Sequence, residues 1–182
     1  VQVTIPEGWR MEQIAQLLAR EGVVDEALFL DLARVGTFDY AFLQDRSEDS
    51  PGSLEGFLFP DTYQFDQNGS TRSAINRLLG TFDQRFTSEM RQRTAEMGMT
   101  VYEIVTLASI VEREAVVPEE RPVIASVYLN RLRRGMYLQS DPTVQYAKGF
   151  SEASGRWWNP MVQEEAQTVD SPYNTFLYPG LP

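Results

Sequence analysis

The chain has 182 residues, of which 42% are hydrophobic and 23% charged, a profile typical of a soluble globular protein able to bury an apolar core. Its formal net charge of −10 leaves no broad cationic face, so nucleic acid is not an expected partner. Because the chain contains neither Cys nor His, Ser-His-Asp and Cys-His mechanisms and Cys/His zinc sites are excluded. Acid–base chemistry must therefore use a carboxylate, a Lys or a Tyr.

The first 40 residues predict a small strand–helix–helix module. Alternating polarity over residues 2–5 indicates a strand. Apolar residues then recur at helical spacing from Met11 until Gly22 ends the helix. Asp25 is a suitable N-cap for a second short helix that ends at Gly36.

The rest of the chain is predicted to be mainly helical, with short strands and long loops, so the expected fold class is α+β. Residues 45–53 predict an exposed loop, and a long amphipathic helix is expected from Thr71 to near Gly98. Thr100 and Glu103 form a capping box that opens a further helix. Another helix is expected from about residue 118 to 135, followed by a loop-rich C-terminal part. No apolar run approaches the roughly 20 residues of a membrane span.

Glu112 is the carboxylate that the helical pattern singles out. On a helical wheel it falls within an apolar face made by Val101, Ile104, Val105, Ala108, Val111 and Ala115. Two interpretations fit a carboxylate in such a place. It forms an ion pair with an arginine of a neighbouring helix, either Arg121 or Arg131, or the apolar setting raises its pKa so that it can act as a general acid. Glu114 is predicted to point elsewhere, toward solvent.

Several blocks of the sequence resemble the MltG (YceG-like) family of endolytic murein transglycosylases. They are Glu55-Gly-Phe-Leu-Phe-Pro-Asp-Thr62, Leu107-Ala-Ser-Ile-Val-Glu-Arg-Glu114, Ala125-Ser-Val-Tyr-Leu-Asn-Arg-Leu132, Leu138-Gln-Ser-Asp-Pro-Thr-Val-Gln145 and Ser171-Pro-Tyr-Asn-Thr-Phe-Leu-Tyr-Pro-Gly-Leu-Pro182. The blocks occur in order over most of the chain. The first 40 residues look like the LysM-like, glycan-binding module of that family.

The resemblance implies a LysM-like module over residues 1–40 and a YceG-like catalytic domain over residues 41–182. It also implies a bacterial enzyme held in the cytoplasmic membrane by a single N-terminal anchor, with its catalytic part on the extracytoplasmic side. Peptidoglycan glycan strands are the implied substrate, and cell-wall synthases are possible protein partners. The chain is expected to lack the anchor and to be truncated at its C-terminal end.

The implied reaction cleaves the MurNAc–GlcNAc β-1,4 bond of nascent strands and leaves 1,6-anhydroMurNAc ends. The catalytic glutamate of the motif is matched to Glu112, used first as acid and then as base, with no metal or cofactor. Residues expected to orient the sugar are Gln139, Asp141, Thr143, Tyr173, Asn174 and Thr175. Two alternatives remain: a non-catalytic glycan-binding module, and a muramidase-type hydrolase with Asp141 or another acid as second carboxylate.

Overall fold

The computed structural model describes residues 1–44 and 53–182 of the chain. These residues form two compact units, Val1–Val105 and Thr106–Pro182. Helices alternate with long connections, and the described residues contain one two-stranded sheet. The fold is therefore α+β, as predicted. The predicted exposed loop over residues 45–53 falls almost wholly outside the described residues.

The first unit begins with the predicted strand–helix–helix order. The strand β1 covers Gln2–Thr4, and the helices α1 and α2 cover Met11–Arg20 and Glu26–Val35. The Asp25 side chain accepts a hydrogen bond from the Leu28 backbone amide, which confirms it as the N-cap of α2.

The remaining elements of the first unit follow in chain order. The short helix α3 covers Ala41–Gln44, and the strand β2 covers Thr62–Gln64. The helices α4 and α5 cover Thr71–Arg85 and Ser88–Glu96. The helix α6, Val101–Glu114, contributes its first residues to this unit and the others to the second.

Long-range pairing joins the start of the chain to the aromatic segment near residue 60. The strands β1 and β2 pair antiparallel, with Val3 opposite Tyr63. The Glu55 carboxylate accepts a hydrogen bond from the Met11 backbone amide at 3.1 Å and so caps the start of α1. The predicted boundary after residue 40, and the LysM-like character of the module before it, stay predictions. Buried apolar side chains on both sides of residue 40 belong to one cluster within the first unit.

The long helix predicted from Thr71 to Gly98 is wrong in one respect, because it is two helices. The chain leaves the helical conformation at Phe86 and Thr87, and Thr87 adopts an extended conformation. Its hydroxyl oxygen accepts a hydrogen bond from the Met90 backbone amide at 3.3 Å and starts α5. A threonine N-cap inside an amphipathic pattern thus ends one helix and begins the next.

The second unit contains the end of α6 and three further helices. A 3₁₀ turn at Pro118–Glu120 leads into α7, Arg121–Arg133. The helix α8 covers Asp141–Lys148, and the short helix α9 covers Glu165–Thr168. The loop-rich part predicted after residue 135 is therefore wrong at residues 141–148, where the chain forms α8. Ser140 precedes α8 in an extended conformation and Pro142 lies in its first turn, where proline is well tolerated.

None of the helices in the described residues combines the length and the apolar character that a membrane crossing requires.

Candidate active site at the end of helix α6

The buried face of α6 differs from the face predicted on the helical wheel. Its buried side chains near the C-terminal end are Leu107, Ile110 and Val111, whereas Ala108 is exposed. The residue that continues this face, seven positions after Leu107, is Glu114. The expectation that Glu112 lies within the buried stripe and that Glu114 points to solvent is therefore wrong.

Glu112 lies at the surface in an ion pair. The Arg121 guanidinium, at the start of α7, is 2.9 Å from one oxygen of the Glu112 carboxylate and 3.2 Å from the other. The Glu112 side chain is 35% exposed and that of Arg121 is 43% exposed. This is the arginine pairing that the sequence left open as the first interpretation, with Arg121 as the partner. An ion pair this exposed contributes about 1 kcal/mol or less to stability.

Glu114 is the carboxylate that the second unit surrounds with buried groups. The Tyr128 hydroxyl, on α7, donates a hydrogen bond to the Glu114 oxygen Oε1 at 2.8 Å. The Ser140 hydroxyl, at the start of α8, donates to the same oxygen at 2.9 Å. Tyr128 is 7% exposed and Ser140 is fully buried. Two segments, α7 and the start of α8, thus converge on one carboxylate at the end of α6.

Two neighbouring groups have shifted pKa values that reflect this environment. Burial raises the pKa of Tyr128 to about 12, and the hydrogen bond and negative charge of Glu114 add to the effect. The pKa of Asp141 is raised from its ordinary value, first by burial and then by the negative charge of Glu114. Asp141 therefore interacts electrostatically with Glu114, and a cluster of shifted groups of this kind is typical of functional sites.

Three of the predicted sugar-orienting residues are buried and bonded within the protein. Thr143 is 4% exposed, Thr175 is 1% exposed and Asn174 is fully buried. The Asn174 amide donates to the carbonyl oxygens of Ala166 and Val169. Direct contact with a sugar is not what this arrangement favours, so the substrate-binding role of these three residues stays a prediction.

The same threonines fix the backbone beside Glu114. The Ser140 backbone amide donates to the Thr175 hydroxyl oxygen at 3.0 Å, and the Thr143 hydroxyl donates to the Ser140 carbonyl at 2.7 Å. The two threonine hydroxyl groups are themselves 2.9 Å apart. The structure therefore gives Thr143 and Thr175 contacts that hold Ser140 in place.

The other three predicted residues have side chains that reach the surface. Gln139 and Asp141 are exposed, and Tyr173 is half-buried with its ring 4.9 Å from that of Tyr146. Gln139 has a φ of 52°, which makes it a left-handed residue that is not glycine. Backbone strain of this kind persists only where the surrounding structure maintains it, and it is often found at functional sites. These residues remain candidates for contact with a sugar.

Aromatic rings of the second unit lie beside Arg113, the residue that precedes Glu114 on α6. The Arg113 guanidinium is 4.1 Å from the centre of the Trp158 ring, and the Tyr146 ring is 6.2 Å from the same ring. Burial lowers the pKa of Arg113, and the negative charge of Glu112 opposes that shift. Aromatic rings of this kind suit the apolar C–H faces of sugars.

Sequence reasoning missed Glu114, Tyr128 and Ser140 as members of the site. A signal for Glu114 was present, because Leu107, Ile110, Val111 and Glu114 follow the i, i+3, i+4, i+7 spacing. Nothing in the spacing connects Tyr128 or Ser140 to that face, since both contacts depend on tertiary structure. Among the described residues, no group of Asp and Glu side chains is arranged to hold a metal ion.

Comparison with known proteins finds the same family that the sequence blocks resemble. The YceG-like family model matches residues 1–182. The chain is 32% identical to the endolytic murein transglycosylase of Streptococcus pneumoniae (strain D39) and 31% identical to that of Bacillus subtilis (strain 168). These alignments cover 98% and 99% of this chain, but only 35% and 51% of the two relatives.

Among solved structures, the chain is similar to a crystal structure of a putative yceG-like protein from Listeria monocytogenes. The TM-score is 0.79 at 30% sequence identity, and the match covers 100% of this chain and 61% of that protein. Sequence and fold therefore agree over the whole chain, which belongs to the YceG-like family.

Proposed function

We propose that this chain carries the catalytic site of an endolytic peptidoglycan lytic transglycosylase. The reaction cleaves the MurNAc–GlcNAc β-1,4 bond of nascent glycan strands and produces 1,6-anhydroMurNAc ends. Membership of the YceG-like family and the names of the two bacterial relatives support the reaction class. The observation that carries the proposal is the Glu114 carboxylate, held by two buried hydroxyl donors.

Glu114 is a better candidate than Glu112 for the acid–base residue. Glu112 has an arginine partner across both of its oxygens and lies at the surface. The hydroxyl groups that donate to Glu114 are neutral, and Glu114 lies beside an acid whose pKa it raises. The catalytic role predicted for Glu112 from the sequence stays a prediction that the experiment below decides.

One carboxyl group is enough for this chemistry. The protonated acid donates its proton to the glycosidic oxygen while the bond to C1 breaks through an oxocarbenium-like state. The C6 hydroxyl of the same sugar then attacks C1, and the carboxylate takes the proton from that hydroxyl. Water takes no part, so the new end is an anhydro sugar. Exposed Gln139 and Asp141, together with half-buried Tyr173, are the residues best placed to orient the sugar.

The experiment compares Glu114→Gln with Glu112→Gln in the full-length protein. Uncrosslinked glycan strands are the substrate, and mass spectrometry detects the anhydro ends. Removing the acid–base group should lower the rate by at least about a thousandfold, since it serves in both proton transfers. We expect that loss for Glu114→Gln and less than about tenfold for Glu112→Gln. The opposite ranking would return the catalytic role to Glu112, and a parent protein that cleaves no strand would refute the reaction.

A muramidase-type hydrolase is the second candidate, and Asp141 is the observation that favours it. Asp141 interacts electrostatically with Glu114, so it is the candidate for the second carboxyl group that a two-carboxylate hydrolase requires. A hydrolase leaves reducing ends where the transglycosylase leaves anhydro ends, so the same mass spectra separate the two. Binding of glycan without any turnover would instead indicate the non-catalytic binding module.

The cellular setting is part of the same proposal. We infer that peptidoglycan glycan strands are the substrate, and that the catalytic part works on the extracytoplasmic side of the cytoplasmic membrane behind a single N-terminal anchor. Cell-wall synthases as partners rest on the family resemblance alone.

A further inference from the structure

The two hydrogen bonds to Glu114 end on the same oxygen. Tyr128 approaches Oε1 from α7, and Ser140 approaches it from the start of α8. The oxygen–oxygen distances are 2.8 and 2.9 Å, which are ordinary lengths for hydroxyl donors. A carboxyl oxygen accepts two hydrogen bonds through its two lone pairs, so both lone pairs of Oε1 are occupied.

This arrangement makes the two oxygens of Glu114 unequal. An oxygen that accepts two hydrogen bonds has no place left for a proton of its own. The proton of the neutral acid must then be on Oε2. We propose that Tyr128 and Ser140 are positioning residues that hold Glu114 through Oε1 and thereby reserve Oε2 for both proton transfers. The inference rests on the proposed function, with Glu114 as its acid–base residue.

A single oxygen of Glu114, Oε2, takes part in both proton transfers. Oε2 gives its proton to the glycosidic oxygen as the C1–O bond breaks, and the leaving sugar departs with a hydroxyl group. The C6 oxygen then forms its bond to C1 and loses its proton to Oε2. The acid is regenerated in its first state, and no water, metal or second acid is consumed. Because the same oxygen serves in both steps, the carboxyl group does not have to rotate between them.

The two positioning residues are themselves held firmly. Ser140 is fully buried, and its backbone is bonded on both sides by Thr175 and Thr143. The Arg131 guanidinium donates to the Leu138 carbonyl oxygen, two residues before Ser140. The buried threonines thus act on the site through Ser140. A side chain locked in this way keeps its direction while charge develops at the carboxyl group.

The charged and titratable groups around Glu114 are compatible with this role. Burial raises the pKa of Tyr128 to about 12, so the phenol remains a neutral donor from acidic to mildly alkaline pH. Arg131 lies on the same helix as Tyr128, and its positive charge opposes the rise in the pKa of Tyr128. Asp141, at the start of α8, has its own pKa raised in part by the negative charge of Glu114. On α6 itself, Glu112 is paired with Arg121.

The test removes each donor while leaving the side-chain volume almost unchanged. In Tyr128→Phe and Ser140→Ala, we expect kcat to fall by about tenfold each, with KM changed less than about twofold. Each donor contacts the carboxyl group that moves both protons, so its loss should also change the pH–rate profile, which a purely structural role would leave unchanged. The double variant should change kcat and the profile further.

Matched controls lie on α7 and in the connection between α7 and α8. Tyr137→Phe removes a hydroxyl from an exposed tyrosine, and Ser126→Ala removes one from an exposed serine that bonds the Val123 carbonyl of its own helix. Neither control should change kcat or the pH profile. Circular dichroism and the free energy of unfolding show whether each variant is folded.

A second measurement makes the outcome independent of turnover. NMR of protein labelled with ¹³C at the glutamate carboxyl carbon reports on the surroundings of the Glu114 carboxyl group, whose signal is assigned with Glu114→Gln. We expect that signal to move in Tyr128→Phe and in Ser140→Ala, because each variant removes a hydrogen bond to Oε1, but not in the controls. An unchanged signal and an unchanged pH–rate profile would overturn the positioning role, whatever happens to kcat. If the variants show the expected signal changes but the parent protein cleaves no strand, the proposed function alone is refuted.

Discussion

The two units of this protein differ in what they bury. In the first unit, the buried side chains are almost all aromatic or aliphatic, and Arg10, Thr71 and Thr94 are its buried polar residues among those described. In the second unit, Ser140, Thr143, Asn174 and Thr175 are buried beside a short set of apolar residues. Apolar contact thus holds the first interior, whereas hydrogen bonds between distant segments hold much of the second.

This difference matters for catalysis. An apolar interior tolerates small shifts in position, because dispersion and burial have little directional preference. A network of hydroxyl and amide hydrogen bonds fixes angles as well as distances, and it loses energy when any member is misplaced. The proposed acid–base residue lies at the edge of the second kind of interior, where its direction is set by Tyr128 and Ser140.

Removing a ring from the first unit should have the largest effect on stability. Phe57 is fully buried, with its ring centre 5.5 Å from that of Phe42 and 5.1 Å from that of Phe82. We expect Phe57→Ala to lower the free energy of unfolding by about 3–5 kcal/mol, because burial is lost and a cavity is left. Urea denaturation measures this. Phe150→Ala, at a ring that is 44% exposed, is the control and should cost about 1 kcal/mol or less.

Removing an amide from the second unit tests the other half of the comparison. Asn174→Ala takes the donor away from the carbonyl oxygens of Ala166 and Val169, and it takes the acceptor away from the Phe176 backbone amide. Each buried group left without a partner costs about 1–3 kcal/mol, so we expect a loss of about 2–4 kcal/mol. Exposed Asn130→Ala is the control. Equal effects of the two substitutions would show that hydrogen bonds do not hold this interior.

The sequence predicted the first unit better than the second for the same physical reason. Apolar spacing and caps are local signals, so β1, α1, α2 and the capping box of Thr100 and Glu103 were confirmed. The break at Thr87 was missed because the apolar spacing continues across it. In the second unit, the helix α8 was missed because Ser140 and Pro142 resemble a turn in sequence.

The site shows the limit of periodicity most clearly. Two glutamates near the end of α6 are two residues apart, and each lies on a face that can be drawn through apolar residues. The sequence favoured Glu112, whereas the structure pairs Glu112 with Arg121 and places Tyr128 and Ser140 on Glu114. A wheel counts apolar neighbours within one helix. It does not contain the partners that other helices bring to that face.

The smallest expected effect is a contrast in pH dependence between one aspartate of each unit. In the second unit, the pKa of Asp141 is raised by partial loss of solvent around its carboxyl group and by the Glu114 charge. Its contribution to stability is therefore fully present below its ordinary pKa and is lost as the pH rises through the raised value. In the first unit, the Thr62 backbone amide and Arg85 hold the pKa of Asp61 below its ordinary value. That contribution is present above the ordinary value and is lost as the pH falls.

Asp141→Asn and Asp61→Asn should therefore change the pH dependence of unfolding in opposite directions. Relative to the parent, Asp141→Asn should become more stable as the pH rises from 3 to about 6, by about 1 kcal/mol or less since the side chain is exposed. Asp61→Asn should become less stable over the same range. Urea denaturation at several pH values measures both. In a Glu114→Gln background the effect at Asp141 should shrink without vanishing, because burial is its first cause and the Glu114 charge its second.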